Sequence, residues 1–582
     1  MGFFNRKAKE QLESHQHMGA VAFMPGGLFD MAVATVFINI LGLALPLAML
    51  QIFDKVIPEK DSATLFWMVI GFGSAIILES LLRVGRSYIG GWMGARFEHL
   101  MSCKALERLT GANITDFDKR GTGAYLERLN ALAGIRDFYA GPFAGALLDI
   151  PFAVLFLGVM YYIAGTLVLV PIVLIFLFSA AVLTLGRLGR AMKERMLADD
   201  RRFGFIIDIL GGIHTVKGLG MEEQMLRRYE RLQEGSANAD FSVTRQKGSA
   251  LTLGAILSGL AVFGVSGFGA LQVIDGTLTV GGLLASIVLA GLAVHPLENV
   301  VGLWAQFQDA KLSQERLGEI FDLPIEKPTG LIDLPTIQGA IDFQGLTFSF
   351  GKGKDGEDLA PVFKNLNLSI EAGQTIGVVG SSASGKTTLL FLMQGLLTPT
   401  AGTARVDGYD IRECDPASIR RHVAYLPQEG VVFKGTLLEN LTMFRDEQAN
   451  EALDIAKLLG MDNIVANLPL GYDTPIGEGA EDKLPRGTRQ RIAIARALVD
   501  KPRILLFDEA NSFIDGAGDA MLRDLLVRLK GRVTLIMVTQ RPSMLRLADR
   551  IVEIRGDDLF EHDLHKGQQG QDQGQDQGQE TS

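Results

Sequence analysis

Gly380-Ser381-Ser382-Ala383-Ser384-Gly385-Lys386-Thr387 is the stretch that decides what the C-terminal part of this chain is. Two glycines bracket four small residues, and a lysine and a threonine follow directly, which is the pattern GxxxxGK[ST]. The segment before it, QTIGVVG, reads as a buried strand. The segment after it, TTLLFLMQGLL, reads as a helix with Thr388 in its first turn. In that context the pattern has a mechanism. Small residues let backbone N–H groups turn inward around a β-phosphate, and the helix N-terminus adds the positive end of its dipole. Lys386 is then expected to reach the β- and γ-phosphates and Thr387 to present its hydroxyl to Mg²⁺. The expected cofactors are ATP and Mg²⁺.

A second element stands about 120 residues further on, Arg503-Ile-Leu-Leu-Phe-Asp508-Glu509. Its apolar run reads as a buried strand ending in two carboxylates. Asp508 suits the Mg²⁺ shell, and Glu509 suits a general base that polarises an attacking water. Either element alone says little, but in this order and at this spacing they describe a nucleoside-triphosphate hydrolase.

The N-terminal half has a different character. The chain has 582 residues, 48% hydrophobic, and the apolar ones crowd into long runs before residue 300. Six runs, 29–53, 63–82, 141–162, 165–185, 251–274 and 280–300, are each near the ~20 helical residues that cross a bilayer core of about 30 Å. Between the second and third lie nine Lys and Arg residues, and between the fourth and fifth twelve. The other connections are short, DKVIPEKDS, YIAGT and IDGTL, and carry little positive charge. The positive-inside rule then puts both termini and both long connections in the cytosol. Those connections read as helices running on from the spans, with Leu100, Cys103, Leu106 and Leu109 on one face. No apolar core directly follows Arg6, Lys7 and Lys9, so the first run is expected to be an uncleaved anchor in the lipid bilayer.

The net charge of −10 argues against nucleic acid as a partner, since phosphate binding needs a basic surface. Cys103 and Cys414 lie far apart on the same expected side, and no disulfide is expected between them. The proline-bearing run 322–335 reads as a linker. The expected domains are therefore a membrane domain with long cytosolic helical extensions over 1–325, an ATP-binding domain over 326–565, and a Gln/Gly/Asp-rich tail over 566–582 that reads as disordered.

With these elements in place the chain resembles the ATP-binding cassette (ABC) exporters over nearly its whole length. Among them it is similar to the type I secretion ATPases, on the segments LALPLAMLQIFDKVIP, LLDIPFAVLF and VTQRPSML. The resemblance implies a membrane domain of six transmembrane helices with the type I exporter fold, followed by an α/β P-loop cassette. It implies ATP-driven export of a peptide or protein across a bacterial inner membrane by a dimer. The second half would be a copy of this chain or a different half-transporter. A periplasmic adaptor and an outer-membrane channel are the further partners of such systems. No room is expected before the first span for the peptidase-like domain some members carry.

The resemblance also assigns residues. Phe350 is similar to the aromatic that stacks on adenine, Gln428 to the residue linking Mg²⁺ and water to the membrane domain, and Asp515 to an aspartate at the cassette dimer interface. Glu478 resembles a loop touching the coupling helices, and the segments 113–120 and 211–220 resemble those helices. Two positions depart from the family. Where it has LSGGQ, this chain has Leu484-Pro485-Arg486-Gly487-Thr488. Pro485 offers neither a hydroxyl nor a backbone N–H to a γ-phosphate. Gln540 stands where the family has a histidine, and glutamine can hydrogen-bond but carries no proton or charge. Slow hydrolysis follows, and with it an alternative: a nucleotide-binding regulatory half with little catalysis of its own. A lipid or small-molecule exporter would share all the cassette chemistry.

Few charges fall inside the spans. Glu79 and Arg83 read as an i,i+4 ion pair at the end of the second. Asp149 reads as a packing residue, and His295-Pro296 as a kink.

Overall fold

Ser62–Thr110 shows how the sequence builds the membrane half. The Asp61 carboxylate accepts hydrogen bonds from the N–H groups of Ala63 and Thr64 at 3.0 and 3.1 Å and so starts the helix. The helix then runs for 49 residues, about 70 Å at 1.5 Å per residue, more than twice the thickness of a hydrocarbon core. The computed structural model describes residues 25–119, 121–140, 142–183, 186–326, 331–351, 357, 359–477 and 484–562. Arg120, Glu478 and the tail 566–582 lie outside them.

The helices used below are α1 (Pro25–Gly42), α2 (Ala44–Gln51), α3 (Ser62–Thr110), α4 (Thr122–Ala140), α5 (Pro142–Ala164), α6 (Leu169–Leu183), α7 (Gly186–Gly211), α8 (Ile213–Gly218), α9 (Glu222–Ile274) and α10 (Val280–Phe321). Among the described residues four stretches, Phe29–Glu59, Ser62–Thr110, Gly145–Leu177 and Glu222–Ile274, are long and apolar enough to cross a membrane, and a shorter apolar helix covers Val280–Pro296. The stretch 145–177 holds two passes. Gly165, at φ +55°, opens a 3₁₀ turn over Gly165–Val168. Beyond it the chain runs back along α9: Thr166 meets Gln272, Leu167 lies against Gly269 and Val170 against Gly264. The residue numbers run in opposite senses, so α6 is antiparallel to α9. Each of the six expected runs is therefore helical over its described residues.

Two details add to the expected picture. Within the short connection DKVIPEKDS the helix continues through a π-helical segment, Ile52–Val56, to Glu59. Asp149 does more than pack. Its Oδ1 accepts from Arg86 at 3.0 Å and from Asn39 at 2.9 Å, and Arg86 also donates to Thr35 Oγ1 at 3.1 Å. This polar knot ties α1, α3 and α5 where a lone charge would be costly. The Glu79–Arg83 pair forms as expected at 2.6 Å, and Pro296 lies within α10.

The chain divides into two units between Pro324 and Ile325, with Asn113–Phe117 grouped with the second. Among its described residues the second unit holds two larger sheets and a small ribbon. One is antiparallel, in the order β2 (Phe363–Ile370), β1 (Ile341–Phe348), β4 (Ala401–Val406), β5 (Tyr409–Asp410). The other runs β12 (Asp558–His562), β11 (Arg550–Arg555), β3 (Thr375–Gly380), β10 (Thr534–Val538), β9 (Ile504–Asp508), β6 (Val423–Leu426), parallel except for β12 at one edge. A two-stranded ribbon pairs β7 (Gly435–Thr436) with β8 (Pro475–Ile476). Strands β9 and β10 are buried on both faces, which is why both read as unbroken apolar runs. Both free cysteines are described, Cys103 exposed and Cys414 buried.

Candidate nucleotide site

Parallel sheets carry their ligands beyond the C-terminal ends of their strands. Here β3 ends at Gly380 and β9 at Asp508, with the phosphate loop between β3 and α11 (Lys386–Met393). Gly385 caps α11 at φ +93°, and a Cβ there would stand 2.7 Å from Val362 Cγ1 and 2.9 Å from Phe363 Cζ. Only glycine fits that turn. Ala383 occupies the same left-handed region at φ +62° without being a glycine. Lys386 Nζ folds into the loop, donating to the carbonyls of Gly380 at 3.1 Å and Ser381 at 2.7 Å.

The two carboxylates stand at the C-terminal end of β9. Asp508 is 6% exposed, and its Oδ2 accepts from Thr387 Oγ1 and from the Tyr425 hydroxyl, both at 2.9 Å. Burial, then the neighbouring Asp508 charge, holds the Tyr425 phenol above its ordinary range. Glu509 turns out of the sheet at φ +46°, a conformation costing a non-glycine residue about 1–2 kcal/mol. Its N–H donates to the Val538 carbonyl at 2.8 Å, which holds the turn, and its Oε2 accepts from Gln428 Nε2 at 3.2 Å. Lys386, Thr387, Asp508, Glu509 and Gln428, far apart in sequence, are thus brought to one end of one sheet.

The residues fit the implied cofactors. Thr387, Asp508 and Gln428 offer hydroxyl, carboxylate and amide oxygens, the donor set a hard cation takes. Ser384 Oγ is buried in the loop with no hydrogen-bond partner among the described residues, a free donor where phosphate oxygens are expected. Thr388 lies in the first turn of α11.

The remaining expected residues lie elsewhere in the unit. Phe350 packs edge-on to Phe348 at 5.0 Å but is 43% exposed, so its ring is no core filler. Pro485 caps helix α12 (Arg486–Val499) without any side-chain bond. Arg486 lays its guanidinium over the Phe513 ring at 5.2 Å, and Gly487 lies so close to Phe513 that a Cβ would meet its carbonyl at 3.0 Å. Thr488 is buried. Asp515 caps helix α13 (Gly516–Leu529), accepting from Gly518 N–H at 3.1 Å and from Arg491 at 2.8 Å. Those bonds, the backbone one first, hold its carboxyl below the usual carboxylate range. Gln540 is exposed beyond β10 and makes no bond to Glu509 among the described residues. No described hydrogen bond joins 484–488 to the phosphate loop of the same cassette. Sequence reasoning passed over Tyr425, and also Asp519, whose Oδ1 takes Asn511 and Arg541 at 2.9 Å each and fixes the segment after Glu509 to the end of β10. Such partners come from separate strands and leave no local pattern.

A helical membrane domain joined to a P-loop cassette of this kind defines an ATP-driven transporter. Residues 28–297 match the ABC transporter transmembrane region and 363–512 the ABC transporter domain, and the chain belongs to the ABC transporter family. It is similar to the alpha-hemolysin translocation ATP-binding protein HlyB of Escherichia coli O157:H7, 32% identical over 93% of this chain and 76% of that protein. It is likewise similar to the cyclolysin secretion/processing ATP-binding protein CyaB of Bordetella pertussis, 31% identical over 92% and 75%. A solved bacterial Atm1-family ABC exporter with ATP bound shares the fold, with TM-score 0.83 and 21% identity over 96% of this chain and all of that one. The protein is an ABC exporter, with an ATPase coupled to transport.

Proposed function

We propose that this chain is one half of a dimeric type I secretion exporter that moves a peptide or protein across a bacterial inner membrane, with cassette and both termini cytosolic. The observation that carries the reading is the gathering of Lys386, Thr387, Asp508, Glu509 and Gln428 at one sheet end, in a chain whose relatives are named for translocating protein toxins. Mg²⁺ would be held by Thr387 and Asp508 with Gln428 beside them, and there it would supply positive charge against the phosphates. Glu509 orients and deprotonates the attacking water, and the bond from Gln428 aims its carboxylate. The second half is a copy of this chain or a related half-transporter, and a periplasmic adaptor and an outer-membrane channel complete the path.

A second reading has its own support. Pro485 brings no donor, and Gln540 is exposed with no described bond to Glu509, so each site of a symmetric dimer would lack two phosphate contacts that the resemblance implies. On that reading the chain is a weakly hydrolysing regulatory half. ATP turnover by the purified chain in lipid separates the two. Turnover that falls at least a hundredfold in Glu509→Gln supports the exporter. Turnover at background, unchanged by Glu509→Gln, supports the regulatory half. Loss of nucleotide binding in Lys386→Ala is expected on both, and its retention would overturn both.

A further inference from the structure

We propose that Tyr425 is a positioning residue for the metal side of the nucleotide site: its hydroxyl holds the Asp508 carboxylate in the orientation that turns Thr387 toward the cation. The proposal rests on the Mg²⁺ reading above. Tyr425 lies on β6, which pairs in parallel with β9 at Tyr425↔Leu506 and Leu426↔Phe507. Its ring packs edge-on to Phe391 of the phosphate-loop helix at 5.4 Å, which fixes where the hydroxyl points. That hydroxyl and the Thr387 hydroxyl donate to the same oxygen, Asp508 Oδ2, at 2.9 Å each. A hydroxyl has one hydrogen. With Thr387's hydrogen committed to Asp508, its lone pairs are the part left to face a cation. Without Tyr425, Asp508 is held at that oxygen by Thr387 alone and is free to turn away.

The test is Tyr425→Phe in the full-length chain, which removes one oxygen and keeps the ring. Binding of a fluorescent ATP analogue is followed as Mg²⁺ is added back from EDTA. Outer partners of metal ligands typically set affinity tenfold or more, so the half-maximal Mg²⁺ concentration is expected to rise about tenfold, with analogue affinity in EDTA unchanged. An unchanged Mg²⁺ curve, or an equal loss in EDTA, overturns the proposal. Phe391→Leu, which loosens the ring and keeps the hydroxyl, is expected to shift the curve the same way by a smaller factor; no shift there counts against it. Mg²⁺ without effect on the unaltered chain would instead sink the metal reading itself.

A separate observation in the membrane unit carries a second proposal. We infer that Asp54 is a latch closing the end of the membrane domain opposite the basic connections. The π-helical segment Ile52–Val56 presents Asp54 to the start of α10. Its Oδ2 accepts from Thr279 Oγ1 at 2.6 Å and its Oδ1 from the Gly281 N–H at 2.8 Å, while Thr279 Oγ1 accepts from Gly282 N–H at 3.0 Å. The approach is closed by the absence of a side chain: a Cβ on Gly281 would lie 2.6 Å from both Asp54 Oδ1 and the Leu50 carbonyl oxygen. The tie joins the first helical stretch to the last helix across more than two hundred residues, at a partly exposed end. It is made of hydrogen bonds, which part at small net cost, and its fit is so close that any parting of the two ends breaks all of it. That is the behaviour of a catch and not of a core.

Asp54→Cys with Thr279→Cys, in a Cys103→Ser, Cys414→Ser background, tests it. Oxidation in membranes is expected to cross-link the pair readily without nucleotide and at least about fivefold more slowly with ATP and Mg²⁺ in the added Glu509→Gln background. With Glu509 intact, the cross-link is expected to lower ATP turnover until reductant is added. Equal cross-linking in both conditions, or turnover indifferent to the lock, overturns the latch. Gly281→Ala alone should mimic release by raising substrate-free turnover; an unchanged rate counts against the idea.

Discussion

Ala383 and Gly385 show how much of a phosphate site is decided by single φ angles. Both lie in the left-handed region, at +62° and +93°. A side chain there costs about 1–2 kcal/mol in backbone strain, partly offset because alanine has less unfolded-state freedom to lose than glycine. Ala383→Gly is therefore expected to leave cassette stability unchanged or raise it by up to about 1 kcal/mol, read as the shift in nucleotide-free unfolding temperature. At Gly385 the balance goes the other way, because strain is joined by overlap with Val362 and Phe363. Gly385→Ala is expected to cost about 1–3 kcal/mol and to abolish ATP-analogue binding, checked by thermal unfolding and a binding titration. The loop and the RILLFDE strand were legible in the sequence because their chemistry is local: a few adjacent residues carry it. The Tyr425–Asp508 bond was not legible, since it spans 83 positions and exists only because β6 and β9 are neighbours.

Among elements, the spans could be read from hydropathy alone, because a bilayer demands about 20 apolar residues whatever they pack against. The ties between them could not. Asp149 read as packing until Arg86, Asn39 and Thr35 came round it from other helices. The cytosolic extensions are stapled in the same way. Arg316 of α10 pairs with Glu127 of α4 and with Asp200 of α7, and Arg128 of α4 pairs with Glu319 of α10. Desolvation, and then the Asp200 carboxylate, push the Glu127 carboxyl up to about 7. The folded chain thus binds a proton that the unfolded chain releases between its ordinary value near 4.5 and about 7. Its contribution to stability is present below that window and is lost as pH rises through it. Unfolding temperature of the membrane unit is expected to fall from pH 5 to pH 7.5, and Glu127→Gln, which cannot ionise, is expected to flatten that slope. A slope unchanged by the substitution would show that Glu127 is not its source.

For the whole molecule the question is whether two nucleotide sites act as one. Every site residue described here belongs to one cassette, yet Pro485 and Arg486 at the start of α12 share no described hydrogen bond with the phosphate loop of their own chain. In the dimer proposed above they would face the nucleotide of the second cassette. Symmetric association would then give both sites the same Pro485 and Gln540. Replacing Gln540 by histidine is expected to raise turnover on the order of a hundredfold, the usual worth of one contact made to developing charge. Mixing halves tests the coupling directly. Unaltered and Lys386→Ala chains, co-expressed in equal amounts, assort into dimers of which about a quarter carry two intact phosphate loops and about half carry one. If one dead site stops both, turnover falls to about a quarter of the unaltered value; if the sites fire independently, it falls only to about half. If the start of α12 completes the partner's site, the quarter is expected, because a cassette that cannot grip its own nucleotide cannot hold its α12 against the partner's.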